Sequence, residues 1–211
     1  MPNLVIGLVG RVCAGKSAVA DAFRRRGAWV YDADKVVHEL YKKKEVIEQV
    51  RELFGDTVLN PEGGIDRKAL GKLVFADPLK LRTLTERVIF PRTREMLDET
   101  LQAFRNSSSP ALILDAPTLF EAGRDQVCQF IAFVTAPLAR RQAWAQARGW
   151  EKAELELRDA RLGDETIKRQ HTTEIIDNTG SLEDMDRRVG ELFDRWKSTQ
   201  QNQGHNGPPI R

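Results

Sequence analysis

The sequence is poor in residues that cross-link small folds, and it contains no long apolar run. Only two of its 211 residues are cysteine and three are histidine. Cys13 and Cys128 are far apart and lack the neighbouring ligands of a zinc site, so we expect two reduced thiols. The apolar run near the N-terminus is shorter than the roughly 20 residues of a membrane span and lacks the marks of a signal peptide. We therefore expect a cytoplasmic protein that does not bind membranes.

An excess of charge of one sign is also missing. Lysine and arginine number 33 against 31 acidic residues, which gives a formal net charge of +2. This balance is not typical of proteins that coat nucleic acid, so we expect no nucleic-acid partner. With 41% hydrophobic residues the chain can bury a substantial core. The sequence leaves open whether the protein forms a homo-oligomer.

The apolar pattern predicts an α/β fold with a five-stranded parallel sheet flanked by helices. Short apolar runs that end in turn residues alternate with segments of helical periodicity. A helix is predicted from Lys16 to Arg26, with Gly27 in the position of a C-terminal cap. The five predicted strands lie at 4–9, 28–31, 111–117, 130–137 and 174–180.

Two segments do not fit this alternation. Residues 35–107 are mostly helical in pattern, contain a loop at 59–66, and separate the second and third strands too widely for a simple crossover. We predict that they form an inserted helical region, with residues 1–34 and 108–197 as the core. The polar tail at 198–211 lacks periodicity and is predicted to be disordered.

One short glycine loop matches the motif G-x-x-x-x-G-K-[ST] between a predicted strand and a predicted helix. Main-chain N–H groups in such a P-loop form a concave site for phosphates. We predict that ATP binds here, with the lysine as a catalytic charge beside the β- and γ-phosphates and the serine hydroxyl as a ligand of Mg²⁺. The alternative is an ordinary glycine turn. The predicted ATP-binding residues in the loop are Val12, Cys13, Ala14, Gly15, Lys16 and Ser17.

Cys13 lies inside this loop at a position where the motif specifies no side chain. We interpret it as a small side chain that faces the scaffold, because free cysteine often behaves as a small buried hydrophobe. The alternative is a thiol activated by the adjacent helix N-terminus, whose oxidation would block nucleotide entry.

Two carboxylates follow predicted strands. Asp34 is the candidate catalytic residue that would orient an acceptor hydroxyl and receive its proton. Its alternative role is the N-cap of a helix that starts near Lys35. Asp115 closes the third strand and is predicted to hold Mg²⁺ directly or through water; otherwise it is only a polar residue at a strand end.

Basic residues are concentrated between positions 140 and 169. Arg140 and Arg141 are candidate catalytic residues that would neutralise charge on the transferred phosphoryl group, and Arg148 lies on the same segment. Residues 138–170 are accordingly predicted to form a lid. A solvated helix face with ion pairs is an equally supported interpretation, because acidic residues alternate with the basic ones. Trp144 and Trp150 are interpreted as packing residues.

The motifs, taken in this order, resemble the dephospho-CoA kinase family, whose members use ATP to phosphorylate the 3′-hydroxyl of dephospho-CoA. The resemblance runs from Val5 to about Trp196. It is carried by the glycine loop with YDADKVVHELY after it, and by three further segments: GIDRKALGKLVFADPLKLRTLTERVIFP at 64–91, LDAPTLFEAG at 114–123 and IIDNTGS at 175–181.

The resemblance implies roles for several of these residues. Asp34 would be the catalytic carboxylate, Asn178 would lie by the adenine of ATP, and residues 35–107 would bind the dephospho-CoA acceptor. The chain departs from the family pattern in four places: Arg11 replaces a glycine, Phe90 a histidine and Trp144 a lid arginine, and a glutamine expected near Leu162 is missing. A kinase for another small-molecule hydroxyl and a nucleotide-binding module without transferase activity therefore remain alternatives.

Overall fold

The computed structural model describes residues 4–160, 162 and 164–203. The chain divides into two compact units, which are Met1–Tyr31 with Phe104–Arg211, and Asp32–Ala103. The predicted inserted region, 35–107, differs from the second unit by three residues at its start and four at its end. The roles predicted for that region and for the lid at 138–170 stay predictions.

A five-stranded sheet forms the centre of the first unit. Strand β1 pairs in parallel with β3 and β4, and β4 pairs in parallel with β5. All seven residues of β1 are buried, as expected for a strand in the middle of a parallel sheet that is covered on both faces. The strands are β1 (Leu4–Gly10), β2 (Trp29–Asp32), β3 (Ala111–Asp115), β4 (Phe130–Thr135) and β5 (Glu174–Asp177), in the order β2-β3-β1-β4-β5. The predicted fold class is confirmed.

Ten α-helices lie within the described ranges. They are α1 (Lys16–Arg25), α2 (Ala33–Leu40), α3 (Lys44–Phe54), α4 (Arg67–Phe75), α5 (Pro78–Leu84), α6 (Phe90–Arg105), α7 (Leu138–Ala147), α8 (Lys152–Ala160), α9 (Glu165–Gln170) and α10 (Leu182–Gln203). None of these helices is long and apolar enough to cross a lipid bilayer.

The core of the first unit joins α1 and α10 to the sheet. The ring of Phe23 meets Phe193 edge-on at 5.5 Å and stacks on Trp196 at 6.3 Å, measured between ring centroids. Phe23 lies on α1 at the helical spacing from Val19 that the sequence predicts, and both side chains are fully buried. This packing fixes the axis of α1 and therefore the direction in which its N-terminus points.

The second unit has its own apolar core, formed by α2 to α5 and the residues around them. Asp66 and Asp77 cap α4 and α5 by accepting main-chain N–H groups, and Pro78 occupies the first turn of α5. The chain from Thr85 to Ile89 forms a π-helical turn that leads into α6. The predicted loop at 59–66 is present and contains one antiparallel bridge between Leu59 and Ile65.

The predicted disorder from residue 198 onward is wrong for its first six positions. Helix α10 continues to Gln203, and the hydroxyls of Ser198 and Thr199 donate to the carbonyls of Asp194 and Arg195. The buried Trp196 anchors this helix, Lys197 and three glutamines are good helix formers, and the Ser198 and Thr199 hydroxyls bond to carbonyls of the preceding turn. Residues 204–211 lie outside the described residues.

Candidate active site

The glycines of the phosphate loop are required by close approaches of the chain. Gly10 has φ of +155°, and a Cβ atom there would come within 2.2 Å of the Val134 carbonyl oxygen on β4. Gly15 has φ of +92°, and a Cβ atom there would come within 2.3 Å of Nδ2 of Asn178. Strand β1, the loop and α1 thus form the strand–loop–helix arrangement that the motif predicted.

Main-chain N–H groups of the loop fall into two sets. Val12 N–H donates to Oδ1 of Asp159 at 3.1 Å and Ala14 N–H donates to the Arg11 carbonyl at 3.2 Å. Within the described part of this unit, no acceptor is found for the N–H groups of four other loop positions, Cys13, Gly15, Lys16 and Ser17. These four donors lie just before α1 and in its first turn, an arrangement that suits an anion. Val12 and Ala14, both predicted to cradle ATP, use their N–H groups within the protein instead.

Cys13 packs into the scaffold, as its predicted structural role requires. Its side chain is buried in a cluster with Ala145 and Leu155, and Trp150 packs against the same cluster. It is the one described non-glycine residue with a positive φ, at +56°. A left-handed conformation is uncommon outside glycine and is typical of loops that present successive N–H groups to an anion.

A cleft of about 580 Å³ opens beside the loop. It lies between the loop, α7 and the first turn of α10. Lys16 and the exposed Ser17 stand on its phosphate side, and α7 contributes Arg140 and Trp144. The structure therefore brings the loop, Lys16, Ser17, Arg140 and Asn178 together around one cleft, and the roles predicted for them stay predictions.

Asn178 and Arg140 connect three elements at this cleft. The buried side chain of Asn178 donates from Nδ2 to the Ala14 carbonyl at 3.0 Å, which ties the residue after β5 to the loop. Nη1 of Arg140 donates to the Asn178 carbonyl at 3.0 Å, and its guanidinium lies 5.2 Å from the centroid of the Trp144 ring. Arg140 thus has a fixed position at the cleft wall, with its charge next to the loop.

Arg141 is placed differently from its neighbour. Only 3% of its side chain is exposed, and it is not among the residues that line the cleft. Its Nη1 donates to Oδ2 of Asp159 at 2.5 Å and to the Val12 carbonyl at 3.2 Å. The prediction grouped Arg141 with Arg140 as a charge on the phosphoryl group, whereas this structure commits its Nη1 to protein acceptors.

Asp115 is the last residue of β3, and its backbone pairs in register with Leu8 of β1. Both strands lead to the edge of the sheet where the phosphate loop begins. No three His, Cys, Asp or Glu side chains cluster as a metal site among the residues described. The donor set of one hydroxyl, Ser17, and one carboxylate, Asp115, fits Mg²⁺, which is usually held by one or two protein groups together with water and substrate phosphates.

In the second unit, Asp34 is exposed in the first turn of α2. The N-cap of this helix is Asp32, whose Oδ1 accepts the Lys35 N–H at 3.0 Å. The alternative capping role for Asp34 is therefore wrong. No hydrogen bond or ion pair to its carboxylate is found among the described residues of its own unit, so the group is available to a ligand.

Two anchoring residues were not predicted. Asp159, described above, holds the loop at Val12, and the buried Lys168 places Nζ 3.0 Å from the Pro117 carbonyl and 2.9 Å from Oε1 of Glu121. Lys168 thereby fixes the segment that follows β3. No local pattern marks either residue, because each contact joins positions that are far apart in sequence.

The ion pairs expected for a solvated helix face are also present in this region. Arg158 pairs with Glu154 at 2.8 Å and Arg169 with Glu165 at 2.7 Å, each four positions apart. The Arg158 guanidinium lies 4.0 Å from the centroid of the Trp150 ring, which supports the interpretation of Trp150 as a packing residue. Residues 138–170 therefore have ion pairs on the solvent side and hydrogen bonds from Arg141 and Asp159 to the phosphate loop.

Comparisons of the sequence with known proteins identify the family to which the chain is similar. Residues 4–184 match the family profile described as dephospho-CoA kinase. Similar curated proteins are the dephospho-CoA kinases of Symbiobacterium thermophilum, 36% identical over 92% of this chain and 80% of that one, and of Aquifex aeolicus, 36% identical over 90% and 95%.

Solved structures agree on the fold. TT1252 from Thermus thermophilus has a TM-score of 0.78 with 34% identity and covers 92% of this chain and 97% of its own. A shikimate kinase from Bacteroides thetaiotaomicron has a TM-score of 0.53 with 18% identity, covers 90% and 98% of the two chains, and supports the P-loop kinase fold alone. The family profile spans most of the chain, so this protein belongs to the dephospho-CoA kinase family.

Proposed function

We propose that the protein transfers the γ-phosphoryl group of ATP to the 3′-hydroxyl of dephospho-CoA, which gives coenzyme A and ADP. The observation that carries this proposal is the cleft lined by Lys16 and by a loop with four available N–H donors, in a chain of the dephospho-CoA kinase family. Such donors recognise phosphates, and family membership supports the choice of acceptor.

The loop, together with the positive charges of Lys16 and Arg140, would bind the triphosphate. N–H groups at the start of α1 would donate hydrogen bonds to the phosphate oxygens, and Lys16 would add a positive point charge. Arg140, held by the Asn178 carbonyl and the Trp144 ring, supplies a second positive charge at the cleft wall. Charges that are already in place when the reaction begins stabilise the transition state without a cost of reorganisation.

Ser17 and Asp115 would hold Mg²⁺, which supplies charge neutralisation to the phosphates when it is bound. Ser17 is in the first turn of α1, and Asp115 ends β3, the strand that pairs with β1 ahead of the loop. Removing either group should therefore raise the Mg²⁺ concentration that the reaction needs.

Asp34 is the proposed general base. As the bond forms between the acceptor oxygen and the γ-phosphorus, the bond from that phosphorus to the β–γ bridging oxygen breaks, and the hydroxyl proton passes to the Asp34 carboxylate. A base for this step must be ionised and accessible. Asp34 is exposed and takes no part in capping α2, which supports the assignment.

A coupled assay of ADP release tests the proposal. Purified protein is given ATP, Mg²⁺ and, in turn, dephospho-CoA, adenosine, shikimate and a hexose, and the coenzyme A product is identified by mass. Turnover with dephospho-CoA alone is expected. Turnover only with another hydroxyl, or tight ATP binding with no turnover on any acceptor, would refute the proposed acceptor or the proposed activity.

Lys16→Ala is the matching variant, with Lys152→Ala as its control. Lys152 is exposed on α8, and its one ion pair among the described residues is a long one of 3.9 Å with Glu156. Loss of the lysine in the loop should lower turnover by about 10²-fold or more, since phosphate positioning supplies most of the catalysis in such enzymes. The control should keep full activity, and equal activity in both variants would show that the cleft is not the active site.

A further inference from the structure

We propose that Asp159 is a positioning residue for the phosphate loop, and that through it α8 sets the shape of the nucleotide site. The inference rests on the proposed function only in that the loop must bind ATP. Asp159 is not among the residues that line the cleft. Its effect would therefore pass through the main chain at Val12 and not through contact with substrate.

The Asp159 carboxylate and the Arg141 guanidinium together hold both polar main-chain groups of one residue. Oδ1 of Asp159 accepts the Val12 N–H at 3.1 Å, and Nη1 of Arg141 donates to the Val12 carbonyl at 3.2 Å. The two side chains are joined to each other at 2.5 Å. We call these three residues the Val12 clamp. It fixes both peptide planes that flank the Val12 Cα.

Burial makes the clamp different from the surface ion pairs of the same segment. The side chains of Arg141 and Asp159 are 3% and 12% exposed, whereas those of Arg158 and Glu154 are 44% and 40% exposed. Charge-assisted hydrogen bonds are stronger than neutral ones, and removing one partner of a buried pair leaves the other charge uncompensated. An exposed pair contributes little. The Val12 clamp is therefore rigid where the outer pairs are not.

A second contact reinforces the clamp from α9. Nη1 of Arg11 lies 2.7 Å from Oε2 of Glu165, and Nε of Arg11 lies 3.8 Å from Oδ2 of Asp159. Arg11 N–H also donates to the Val134 carbonyl at 3.1 Å. Residues 11 and 12 are thus held by β4, α8 and α9 together.

The position of the clamp explains why nucleotide binding should depend on it. Cys13, the first residue with an available N–H group, follows Val12 directly, so the orientation of its N–H is set by the peptide plane that carries the Val12 carbonyl. A rotation of that plane would turn the first phosphate donor away from the site. The clamp also means that α8 can swing away from the loop only if these hydrogen bonds break.

Asp159→Asn tests the inference, with Glu154→Gln on the same helix as its control. Asparagine keeps an acceptor for the Val12 N–H but leaves the Arg141 charge unpaired. We expect the dissociation constants of both ATP and ADP, measured by calorimetry, to rise about tenfold, or about 1.4 kcal/mol. The KM for dephospho-CoA should stay within twofold, and the control should match the wild type in every measurement.

A double variant separates positioning from stability. Asp159→Leu with Arg141→Met replaces the buried pair by apolar side chains, a change that often preserves stability. We expect this protein to keep a single cooperative urea transition, at a somewhat lower urea concentration because the Val12 N–H and carbonyl lose their partners, and to bind ATP at least tenfold more weakly. Wild-type affinity for ATP in this variant, or in a folded Asp159→Asn protein, would overturn the inference.

Amide hydrogen exchange on the nucleotide-free wild-type protein tests the clamp without any substitution. The Val12 amide, donated to Asp159, should exchange at least tenfold more slowly than the Cys13 amide, for which no acceptor is described. Equal exchange at the two positions would also overturn the inference. If instead the wild-type protein binds neither ATP nor ADP, the proposed function fails, and the exchange result still decides whether the clamp exists.

Discussion

Replacing Gly15 by alanine tests whether the phosphate loop and Asn178 depend on each other. The perturbation is one methyl group at a position with φ of +92°. That methyl group would lie 2.3 Å from Nδ2 of Asn178, which donates to the Ala14 carbonyl and is buried. The Asn178 amide must therefore move, and its hydrogen bond to the loop must break.

The cost has two parts. An alanine in the left-handed region costs about 1–2 kcal/mol relative to glycine. Leaving the buried Asn178 amide and the Ala14 carbonyl without each other costs about 1–3 kcal/mol more. We therefore expect the free energy of unfolding to fall by about 2–5 kcal/mol.

Gly149→Ala provides the matched control. Gly149 lies in the same unit with φ of +76°, and among the described residues, its two chain neighbours aside, no atom lies within 4 Å of the position of an added Cβ. It should show only the backbone cost of about 1–2 kcal/mol. The difference between the two variants then isolates the contact with Asn178.

Urea unfolding followed by tryptophan fluorescence measures this difference. All four tryptophans of the chain lie in the first unit, so the signal reports the unit that contains the loop. Calorimetry with ATP should in addition show weaker binding for Gly15→Ala alone. Equal loss of stability in the two variants, with equal affinity for ATP, would refute the proposed dependence.

Three further predictions concern other parts of the chain. Asp34→Asn should lower kcat about 10²-fold and leave the ATP dissociation constant unchanged, as measured by steady-state kinetics and calorimetry; a variant with most of its activity would exclude Asp34 as the base. Lys168→Met should lower the free energy of unfolding by about 1–3 kcal/mol, because the Pro117 carbonyl and the Glu121 carboxylate lose their buried partner. A decrease below about 0.5 kcal/mol, measured by urea unfolding, would contradict this prediction. The Arg26 guanidinium lowers the pKa of the Asp186 carboxyl, and Arg25 lowers it less. The stability contributed by this pairing is therefore complete above the ordinary Asp pKa of about 4 and is lost as the pH falls further. Asp186→Asn should therefore flatten the dependence of the melting temperature on pH below about 4, and an unchanged slope would show that the pairing has no effect on stability.

Local sequence patterns predicted the part of the site that is built locally. A buried strand, a glycine loop and an amphipathic helix follow one another between Leu4 and Arg25, and each is determined by residues a few positions apart. The same local motif contains Gly10 and Gly15, the two positions where the chain passes too close to Val134 and Asn178 for a Cβ atom. The position of the loop between β1 and α1, with Lys16 and Ser17 in the first turn of the helix, was therefore predictable from the sequence.

Contacts between distant segments were not predictable in this way. Asp159 binds Val12 across 147 positions, and Lys168 binds Pro117 across 51. Arg140 and Arg141 are adjacent and have the same side chain, yet one lines the cleft and the other is buried under the loop, because successive helical residues point about 100° apart. Helix α10 also extended past the predicted boundary, since polar residues can continue a helix that an apolar face has already anchored.

The way the loop holds phosphate has a consequence for which nucleotide serves as donor. In the proposed site, the main-chain amides and the Lys16 ammonium would contact only the phosphates, which are identical in every nucleoside triphosphate. Discrimination between bases there would therefore depend on other side chains that line the cleft, among which Trp144, Leu182 and Met185 are the large apolar ones. Substitutions at these apolar positions should alter the preference among nucleoside triphosphates and leave the affinity for the phosphates unchanged.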